Sequence, residues 1–484
     1  MNANAYAWFV ERHAGSDRTA FIEPGGRLTY AELDTACGRF AGGLLAAGIG
    51  REQRIVLILQ DTLAFPVAFW GSLRVGVVPV PINTLLNAEQ VTYIIRDSRA
   101  AAVVVSPALM AGLDLNDIKV IVTGDPNFDR SAPGIAIAPA DEVAFWLYSS
   151  GSTGAPKGTK HVHGSLQGTY ETYARNILNI GPNDLTFSAS KMFHAYGLGN
   201  AMTFPMAVGA TTVLLPGRPT PAAVLAVIAE HQPTLFYGAP TLYAALLAHS
   251  GLGPKAGSAR LRHCVSAGEA LPAPVGERWS EVVGVDILDG IGSTEMLHIF
   301  VSNRPGAVRY GTTGQVVPGY DVRIVDENGA DAEHGELLVR GATAAEGYWN
   351  HREKSRRTFQ GEWTRTGDMY VREPDGYYRY EGRSDDMFKV SGVWVSPFEV
   401  ESALMAHPAV LEAAVVGHAD ADGLLKPKAF VVLQAAAVEA GLFEELRELV
   451  KVRAGAWKYP RWIAFVAALP KTSTGKIQRY LLRE

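Results

Sequence analysis

Apolar residues in the first two thirds of the chain alternate between helical spacing and short continuous runs. Over residues 30–45 they recur every three or four positions, which predicts an amphipathic helix. The apolar run at 54–59 is typical of a buried strand. Because strands that alternate with helices build parallel sheets covered on both faces, this part of the chain is predicted to be α/β. The alternation continues with a predicted helix over 67–75 and predicted strands over 77–81, 101–106 and 118–123.

The pattern changes between residues 316 and 380, where helical spacing disappears. Short alternating runs separated by turn residues replace it, which is typical of a small β-subdomain. We therefore expect a large N-terminal domain over 1–384, in which 316–384 form the β-subdomain. The strands are predicted over 320–325, 336–340 and 377–381.

The remainder of the chain, 385–484, has the size of a small domain. Ser396, Pro397 and Glu399 have the spacing of a capping box at the start of a helix. Strand and helix patterns follow, so this part is predicted to be a compact α+β domain. Its other predicted elements are strands over 413–416, 429–433 and 462–466 and a helix over 442–452.

Composition excludes several classes of protein. Of the 484 residues 48% are hydrophobic, so a large core is available, and the net charge of -5 gives no basic face for nucleic acid. The basic run 351–357 is predicted to be a solvated helix surface. The only cysteines, Cys37 and Cys264, are far apart, which is typical of a reduced intracellular protein. The first 17 residues lack the apolar core of a secretory signal, and the apolar segment 67–81 is interrupted by Arg74 and two prolines. We predict a cytoplasmic protein.

The segment 148–158, Tyr-Ser-Ser-Gly-Ser-Thr-Gly-Ala-Pro-Lys-Gly, is the strongest chemical signal. Its glycines let the backbone approach a ligand closely, and its hydroxyls and Lys157 supply donors and a positive charge. This combination predicts a grip on a polyphosphate, with a flexible surface loop as the alternative. Pro156 before Lys157 departs from the common nucleotide-binding loop, so a nucleotide would be held in another way.

Six motif regions, from 28–33 to Gly475 and Lys476, carry a family resemblance over nearly the whole chain. They resemble those of the adenylate-forming superfamily, which contains acyl- and aryl-CoA ligases, stand-alone adenylation domains and luciferases. The segments 290–300 and 389–399 are similar to the benzoate–CoA ligase branch. In that branch ATP and an aromatic carboxylate give an aryl-AMP and pyrophosphate, and the thiol of coenzyme A then displaces AMP.

The resemblance assigns a nucleotide site to this chain. It implies that Thr294 bonds the α-phosphate and that Glu295 helps to hold Mg²⁺, a cation that favours carboxylate and phosphate oxygens. It also implies that Asp368 binds the ribose, with Arg383 close by. The β- and γ-phosphates are assigned to Ser149, Ser150, Gly151, Ser152, Thr153, Gly154 and Lys157, and the rest of the nucleotide to Ser266, Ala267, Gly268, Glu269, Asp289, Gly290, Ile291, Gly292 and Ser293.

The resemblance also implies that the C-terminal domain is a mobile lid. Lys476 would bridge the carboxylate and the α-phosphate during adenylation, a task that suits a flexible point charge. Asp385 matches the hinge, and rotation there would withdraw Lys476. A second face would then approach the adenylate for thioester formation, and it contains Lys389, Ser391, Gly392 and Trp394.

Specificity is expected in an acyl pocket that combines small and aromatic residues, a lining that suits a flat ring better than a long chain. His194 and His298 either meet the substrate or are structural histidines. Neither has to act as a base, because carboxylates are ionised at neutral pH. By resemblance the pocket is lined by His194, Ala195, Tyr196, Tyr237, Gly238, Ala239, Gly292, His298 and Ile299.

The function predicted from the sequence is therefore an ATP-dependent aryl-CoA ligase for a benzoate-type acid, with ATP, Mg²⁺ and coenzyme A. Amino- or hydroxy-substituted rings are included, and the protein is expected to be a monomer or a homodimer. The alternatives are an adenylation enzyme that loads a carrier protein, an ATP-dependent small-molecule kinase and a non-catalytic nucleotide-binding protein.

Overall fold

The computed structural model places the chain in several sheets covered by helices. It describes residues 3–125, 128–149, 156–390, 393–421, 423–435, 437, 439, 441–471 and 477–483.

The largest sheet of the described residues has nine strands, of which six consecutive strands run parallel. The antiparallel strands lie at its two edges. In spatial order the strands are Gln315–Val316, Ile299–Ser302, Ile287–Gly292, His263–Ser266, Leu235–Gly238, Leu185–Ser188, Thr211–Val213, Thr19–Glu23 and Gly26–Thr29.

A second, four-stranded sheet is parallel throughout and confirms the α/β prediction. The predicted first helix is present as Tyr30–Ala46, and Thr29 and Glu32 form a capping box at its start. The predicted second helix is Ala64–Arg74. In spatial order the strands are Val78–Pro81, Arg54–Ile58, Ala102–Val105 and Lys119–Val122.

The helices that connect these strands are mostly short. Two of them contain π-helical turns: His163–Thr169 continues into Tyr170–Leu178, and Ala195–Leu198 continues through Gly199–Thr203. No helix of the described residues is both long and apolar enough to cross a membrane. The other helices of this part are Ala5–Phe9, Ala88–Asp97, Phe204–Val208, Pro221–His231, Pro240–Leu247 and Ala273–Val283, with 3₁₀ turns at Glu11–His13, Pro107–Leu109 and Pro254–Gly257.

The expected β-subdomain is present as an antiparallel sheet. The expectation that it lacks helices is wrong, because Arg352–Thr358 is a helix. This helix contains the basic run that was predicted to be a solvated helix surface, but only some of its side chains are exposed to solvent. Ser355 is half-buried, since its hydroxyl accepts a hydrogen bond from the Tyr348 backbone N–H (2.9 Å). The strands are Asp321–Val325, His334–Arg340, Phe359–Gln360, Trp363–Arg372 and Tyr378–Arg383.

The C-terminal domain is a smaller α+β unit, as the sequence predicts. Ser396 caps its first helix by accepting from the Glu399 N–H (3.1 Å). The second bond of a capping box, from the Ser396 N–H to the Glu399 carboxylate, is not among the hydrogen bonds of the described residues, and that carboxylate pairs with Lys458. The elements are the hairpin Phe388–Val390 and Val393–Val395, the sheet Val410–Ala419, Leu425–Leu433 and Trp462–Phe465, the helices Pro397–Met405 and Leu442–Ala454 and the 3₁₀ turn Arg479–Leu482.

Candidate active site

The carboxyl ends of three neighbouring parallel strands define the site. In register, Gly238 lies beside Ser266, and Ser266 lies beside Asp289. Ligands of open α/β sheets bind at such strand ends, where turns and helix starts leave room. Three predicted groups of residues therefore meet here: part of the aryl set, the 266–269 segment and the signature that begins at Asp289.

Asp289 is buried at this edge, with 4% of its surface exposed. Burial raises the pKa of its carboxyl to about 8, and the nearby backbone N–H groups of Leu271 and Gly290 lower it only in part. A largely neutral carboxyl at the predicted nucleotide site can donate as well as accept a hydrogen bond.

The glycine- and hydroxyl-rich segment connects two antiparallel strands. Val143–Ser149 pairs with Lys157–Val162, so Ser149 lies opposite Lys157. Ser150, Gly151, Ser152, Thr153 and Gly154 lie outside the described residues.

The structure brings Lys157 and Glu295 together from positions 138 residues apart. Lys157 Nζ donates to Glu295 Oε1 (2.9 Å) and to the hydroxyl of Tyr348 (2.8 Å), and that hydroxyl donates to the same carboxylate oxygen (2.7 Å). Burial alone would raise the pKa of Glu295, but Lys157 and Tyr348 lower it to about 2. Glu295 is therefore an ionised carboxylate with a cation beside it at neutral pH.

The backbone around Thr294 and Glu295 is fixed by two long-range hydrogen bonds. His161 Nε2 lies 2.8 Å from the Thr294 carbonyl oxygen, and the Ala345 N–H donates to the Glu295 carbonyl (2.8 Å). Burial lowers the pKa of His161 to about 4, so the ring is neutral, and it stacks on Phe145. The chain then turns sharply at Leu297, which has a φ of 66°. Such backbone geometry in a branched residue indicates a position held by its surroundings.

The predicted ribose residues lie on paired strands of the β-subdomain. Asp368 is opposite Arg383, and Arg383 Nη1 lies 3.4 Å from the Asp368 carboxylate. Arg383 also donates to the Thr366 carbonyl (2.8 Å) and pairs with Asp385 (3.4 Å). The expected hinge residue Asp385 is 57% exposed and therefore has few packing contacts to resist rotation.

The C-terminal domain reaches the nucleotide side through its last segment. The Ile477 N–H donates to the carboxylate of Glu269 (3.3 Å). Lys476, Ser391 and Gly392 lie outside the described residues. Lys389 and Trp394 face each other across a hairpin, with the ammonium 4.6 Å from the ring centroid and Trp394 40% exposed.

The predicted aryl residues form an aromatic cluster around His298. The rings of Tyr173 and Tyr196 lie 5.2 and 5.6 Å from that of His298, and His298 Nε2 is 3.1 Å from Asn200 Oδ1. Burial lowers the pKa of His298 to about 3, so the ring is neutral. A side chain at Gly199 would come within 2.5 Å of the His298 ring, which explains a glycine in this π-turn.

The other predicted aryl residues occupy the same edge of the large sheet. Tyr196 donates to the Val265 carbonyl (2.9 Å), and its ring lies 6.3 Å from that of Tyr237. His194 precedes the helix that begins at Ala195, and its ring lies against Phe193. Ala239 precedes the helix that begins at Pro240, and Ile299 lies opposite Gly292.

Besides Tyr173, three residues that the sequence did not single out belong to this site. Tyr348 and His161 bind Glu295 and Thr294, and Asn200 binds His298. His161 lies four residues after Lys157, and the strand period of two places both side chains on one face of the strand. That period was a usable signal for His161, whereas no local pattern indicates Tyr348.

Comparison with known proteins places this geometry in a family. Residues 7–349 match the AMP-binding enzyme model, and residues 399–476 match the AMP-binding enzyme C-terminal domain. The chain is 50% identical to the 4-hydroxybenzoate–CoA/benzoate–CoA ligase of Rhodopseudomonas palustris, over 99% of this chain and 94% of that one. It is 52% identical to the benzoate–CoA ligase of Thauera aromatica, over 96% and 92%.

A solved structure supports the same assignment. The anthranilate CoA ligase AuaEII in complex with anthranoyl-AMP matches with a TM-score of 0.94 and 39% identity, over 100% of this chain and 96% of that chain. The chain therefore belongs to the AMP-binding enzyme family, in the branch of the benzoate–CoA ligases.

Proposed function

We propose that this enzyme is an ATP-dependent aryl-CoA ligase that acts on benzoate and on its hydroxy- or amino-substituted forms. The acid and ATP give an aryl-AMP and pyrophosphate, and coenzyme A then gives the aryl-CoA thioester and AMP. The observation that carries the proposal is the Lys157–Glu295 pair beside Thr294, in a chain half identical to a 4-hydroxybenzoate–CoA/benzoate–CoA ligase.

In the first step a carboxylate oxygen of the acid attacks the α-phosphorus of ATP, and pyrophosphate leaves with the electron pair of the broken bond. Negative charge develops on the phosphoryl oxygens, so fixed donors and cations accelerate the step. We assign this role to Thr294, Lys157 and Lys476. No general base is needed, because the acid is already ionised at neutral pH.

The residues present fit a magnesium ion bound together with ATP. Glu295 is ionised and already holds a cation, Lys157. No cluster of three or more His, Cys, Asp or Glu side chains suited to a metal occurs among the described residues. A site with one protein carboxylate, completed by phosphates and water, is the usual arrangement for Mg²⁺ with a nucleotide. The ion would neutralise phosphate charge, and Glu295 would hold it.

In the second step the thiol of coenzyme A gives up its proton to solvent and its sulfur attacks the acyl carbon, and the C–O bond to the phosphate breaks so that AMP leaves with the electron pair. We propose that rotation at Asp385 exchanges the segment at Lys476 for the face that carries Lys389 and Trp394. An exposed hinge and an aromatic ring with a lysine over it support this assignment. We place the reaction in the cytoplasm, where the free thiols of Cys37 and Cys264 stay reduced.

Product analysis tests the proposed function directly. The purified protein is mixed with ATP, Mg²⁺, coenzyme A and benzoate, 4-hydroxybenzoate or 2-aminobenzoate. We expect AMP, pyrophosphate and a thioester of the expected mass. Pyrophosphate exchange without a thioester would favour the carrier-protein alternative, and ADP would favour a kinase.

Replacing Asp385 by proline is expected to slow thioester formation about tenfold more than adenylation. Proline fixes φ near −65°, which restricts rotation at this position. The contact between Ile477 and Glu269 suits the adenylation arrangement, so the other arrangement should be the one lost. Each half-reaction is measured separately, by pyrophosphate release and by conversion of supplied aryl-AMP. Asp385→Ala, which keeps the rotation, serves as the control. If the proline variant loses the same fraction of its wild-type rate in both half-reactions, the hinge assignment is contradicted.

Replacing Tyr237 by phenylalanine is expected to lower kcat/KM for hydroxy- and aminobenzoates about tenfold and to leave benzoate nearly unchanged. The Tyr237 hydroxyl is buried without a hydrogen-bond partner among the described residues, and a polar ring substituent would satisfy it. Benzoate has no such substituent, so it is the internal control. Equal losses with all three acids would remove Tyr237 from substrate recognition.

A further inference from the structure

Glu295 is held by two side chains of different character. One is the ammonium of Lys157, at 2.9 Å, and the other is the hydroxyl of Tyr348, at 2.7 Å from the same oxygen. Lys157 also donates to the Tyr348 hydroxyl (2.8 Å) and lies over its ring, 3.9 Å from the centroid. The three groups form a closed triangle of hydrogen bonds.

The triangle has to open when a nucleotide binds. Lys157 would be drawn to the phosphates, and Glu295 would then face negative charge without its cation. A metal ion can replace the ammonium only where the carboxylate keeps its orientation, because Mg²⁺ demands near-ideal octahedral geometry. Some other group therefore has to hold Glu295 during the exchange.

Tyr348 is suited to this task because its position does not depend on Lys157. Its backbone pairs with Thr159, its N–H donates to Ser355 (2.9 Å), and its ring packs on Phe359 with 5.3 Å between centroids. Only 5% of the residue is exposed. The hydroxyl is therefore held against the Glu295 carboxylate, to which it donates (2.7 Å).

We propose that Tyr348 is a positioning residue that keeps the Glu295 carboxylate in place for magnesium while Lys157 moves from that carboxylate to the phosphates. The inference rests on the proposed function, because it takes Glu295 as the metal-binding carboxylate. It assigns Tyr348 no contact with the substrate. Its effect is on the metal concentration that the enzyme needs, not on the chemistry of the α-phosphate.

The test compares Tyr348→Phe with the matched variant Tyr320→Phe. Tyr320 is also a buried tyrosine, 6% exposed, and its hydroxyl hydrogen-bonds the hydroxyl of Thr343 (2.9 Å) rather than a carboxylate. Two quantities are measured against Mg²⁺ concentration: the rate of benzoate-dependent ATP–pyrophosphate exchange, and the calorimetric affinity for α,β-methylene-ATP. The second needs no turnover, and thermal unfolding reports whether each variant is folded.

For Tyr348→Phe we expect the Mg²⁺ concentration at half-saturation to rise about tenfold in both measurements, since a hydrogen bond to a charged group is lost. Affinity for the nucleotide without Mg²⁺ should stay within about twofold, and Tyr320→Phe should match the wild type. Ser355→Ala removes the hydrogen bond that holds the Tyr348 backbone and should shift the same Mg²⁺ dependence by about twofold. This variant provides a second measurement if Tyr348→Phe fails to fold.

Unchanged Mg²⁺ dependence in Tyr348→Phe and Ser355→Ala would overturn the inference while leaving the proposed function intact. An equal shift in Tyr320→Phe would also overturn it, because the effect would then come from a general loosening of the fold. A wild-type protein that shows no exchange with any of the three acids would instead refute the proposed function.

Discussion

Alanine in place of Lys476 is expected to slow formation of the aryl adenylate about a thousandfold and to leave conversion of supplied aryl-AMP to the thioester nearly unchanged. The ammonium is assigned to the first step alone, where it stabilises charge that develops between the acid and the α-phosphate. The N–H of the next residue, Ile477, donates to Glu269 of the predicted nucleotide segment, which supports a role for this part of the chain in adenylation.

The two half-reactions of Lys476→Ala are measured apart, by ATP–pyrophosphate exchange and by mass detection of the thioester from synthetic adenylate. Lys471→Ala is the matched control, because Lys471 lies five residues earlier in the sequence and pairs with Glu412 (2.5 Å). It should retain both activities within about twofold. Similar losses in the two half-reactions of Lys476→Ala would show that the lysine supports the fold or both steps, and the assignment would fail.

The sequence predicts much of the fold because the relevant patterns are local. The helix Tyr30–Ala46 and the strand Arg54–Ile58 follow directly from the spacing of their apolar residues. The helix Arg352–Thr358 could be predicted only from its run of charged residues, because it has no buried residue and so no apolar periodicity. Its half-buried Ser355 contacts Tyr348, which precedes the helix in a separate strand.

The candidate site can be predicted only in part from the sequence, because some of its contacts join residues that are far apart in the chain. The signature at Thr294 and Glu295 is local and could be recognised, as could the glycine- and hydroxyl-rich segment before Lys157. The partners of Glu295 are not local, since Tyr348 lies 191 residues from Lys157 and 53 residues from Glu295. Such contacts follow from the pairing of Gly347–Tyr348 with the strand of Lys157, which no short-range pattern specifies.

Glutamine in place of Glu295 is expected to lower the rate of adenylation at least a hundredfold, because it removes the only negative charge assigned to the metal. The amide keeps the shape of the side chain, so packing changes little. Affinity for ATP without Mg²⁺ should not fall, since Lys157 is released from its partner and the repulsion between Glu295 and the phosphates is gone. Calorimetry with and without Mg²⁺ and pyrophosphate exchange measure these effects.

Stability provides an independent check on Glu295. Its pKa is lowered from 4.5 to about 2, so the charged form stabilises the fold above the unfolded pKa, and this contribution is lost as the pH falls toward 2. The free energy of unfolding of Glu295→Gln should therefore decline less between pH 5 and pH 3 than that of the wild type. Glu412→Gln, which breaks the comparable Lys471–Glu412 pair, should leave Mg²⁺ dependence unchanged. Wild-type metal dependence in Glu295→Gln would mean that the carboxylate serves Lys157 alone and that the metal is held elsewhere.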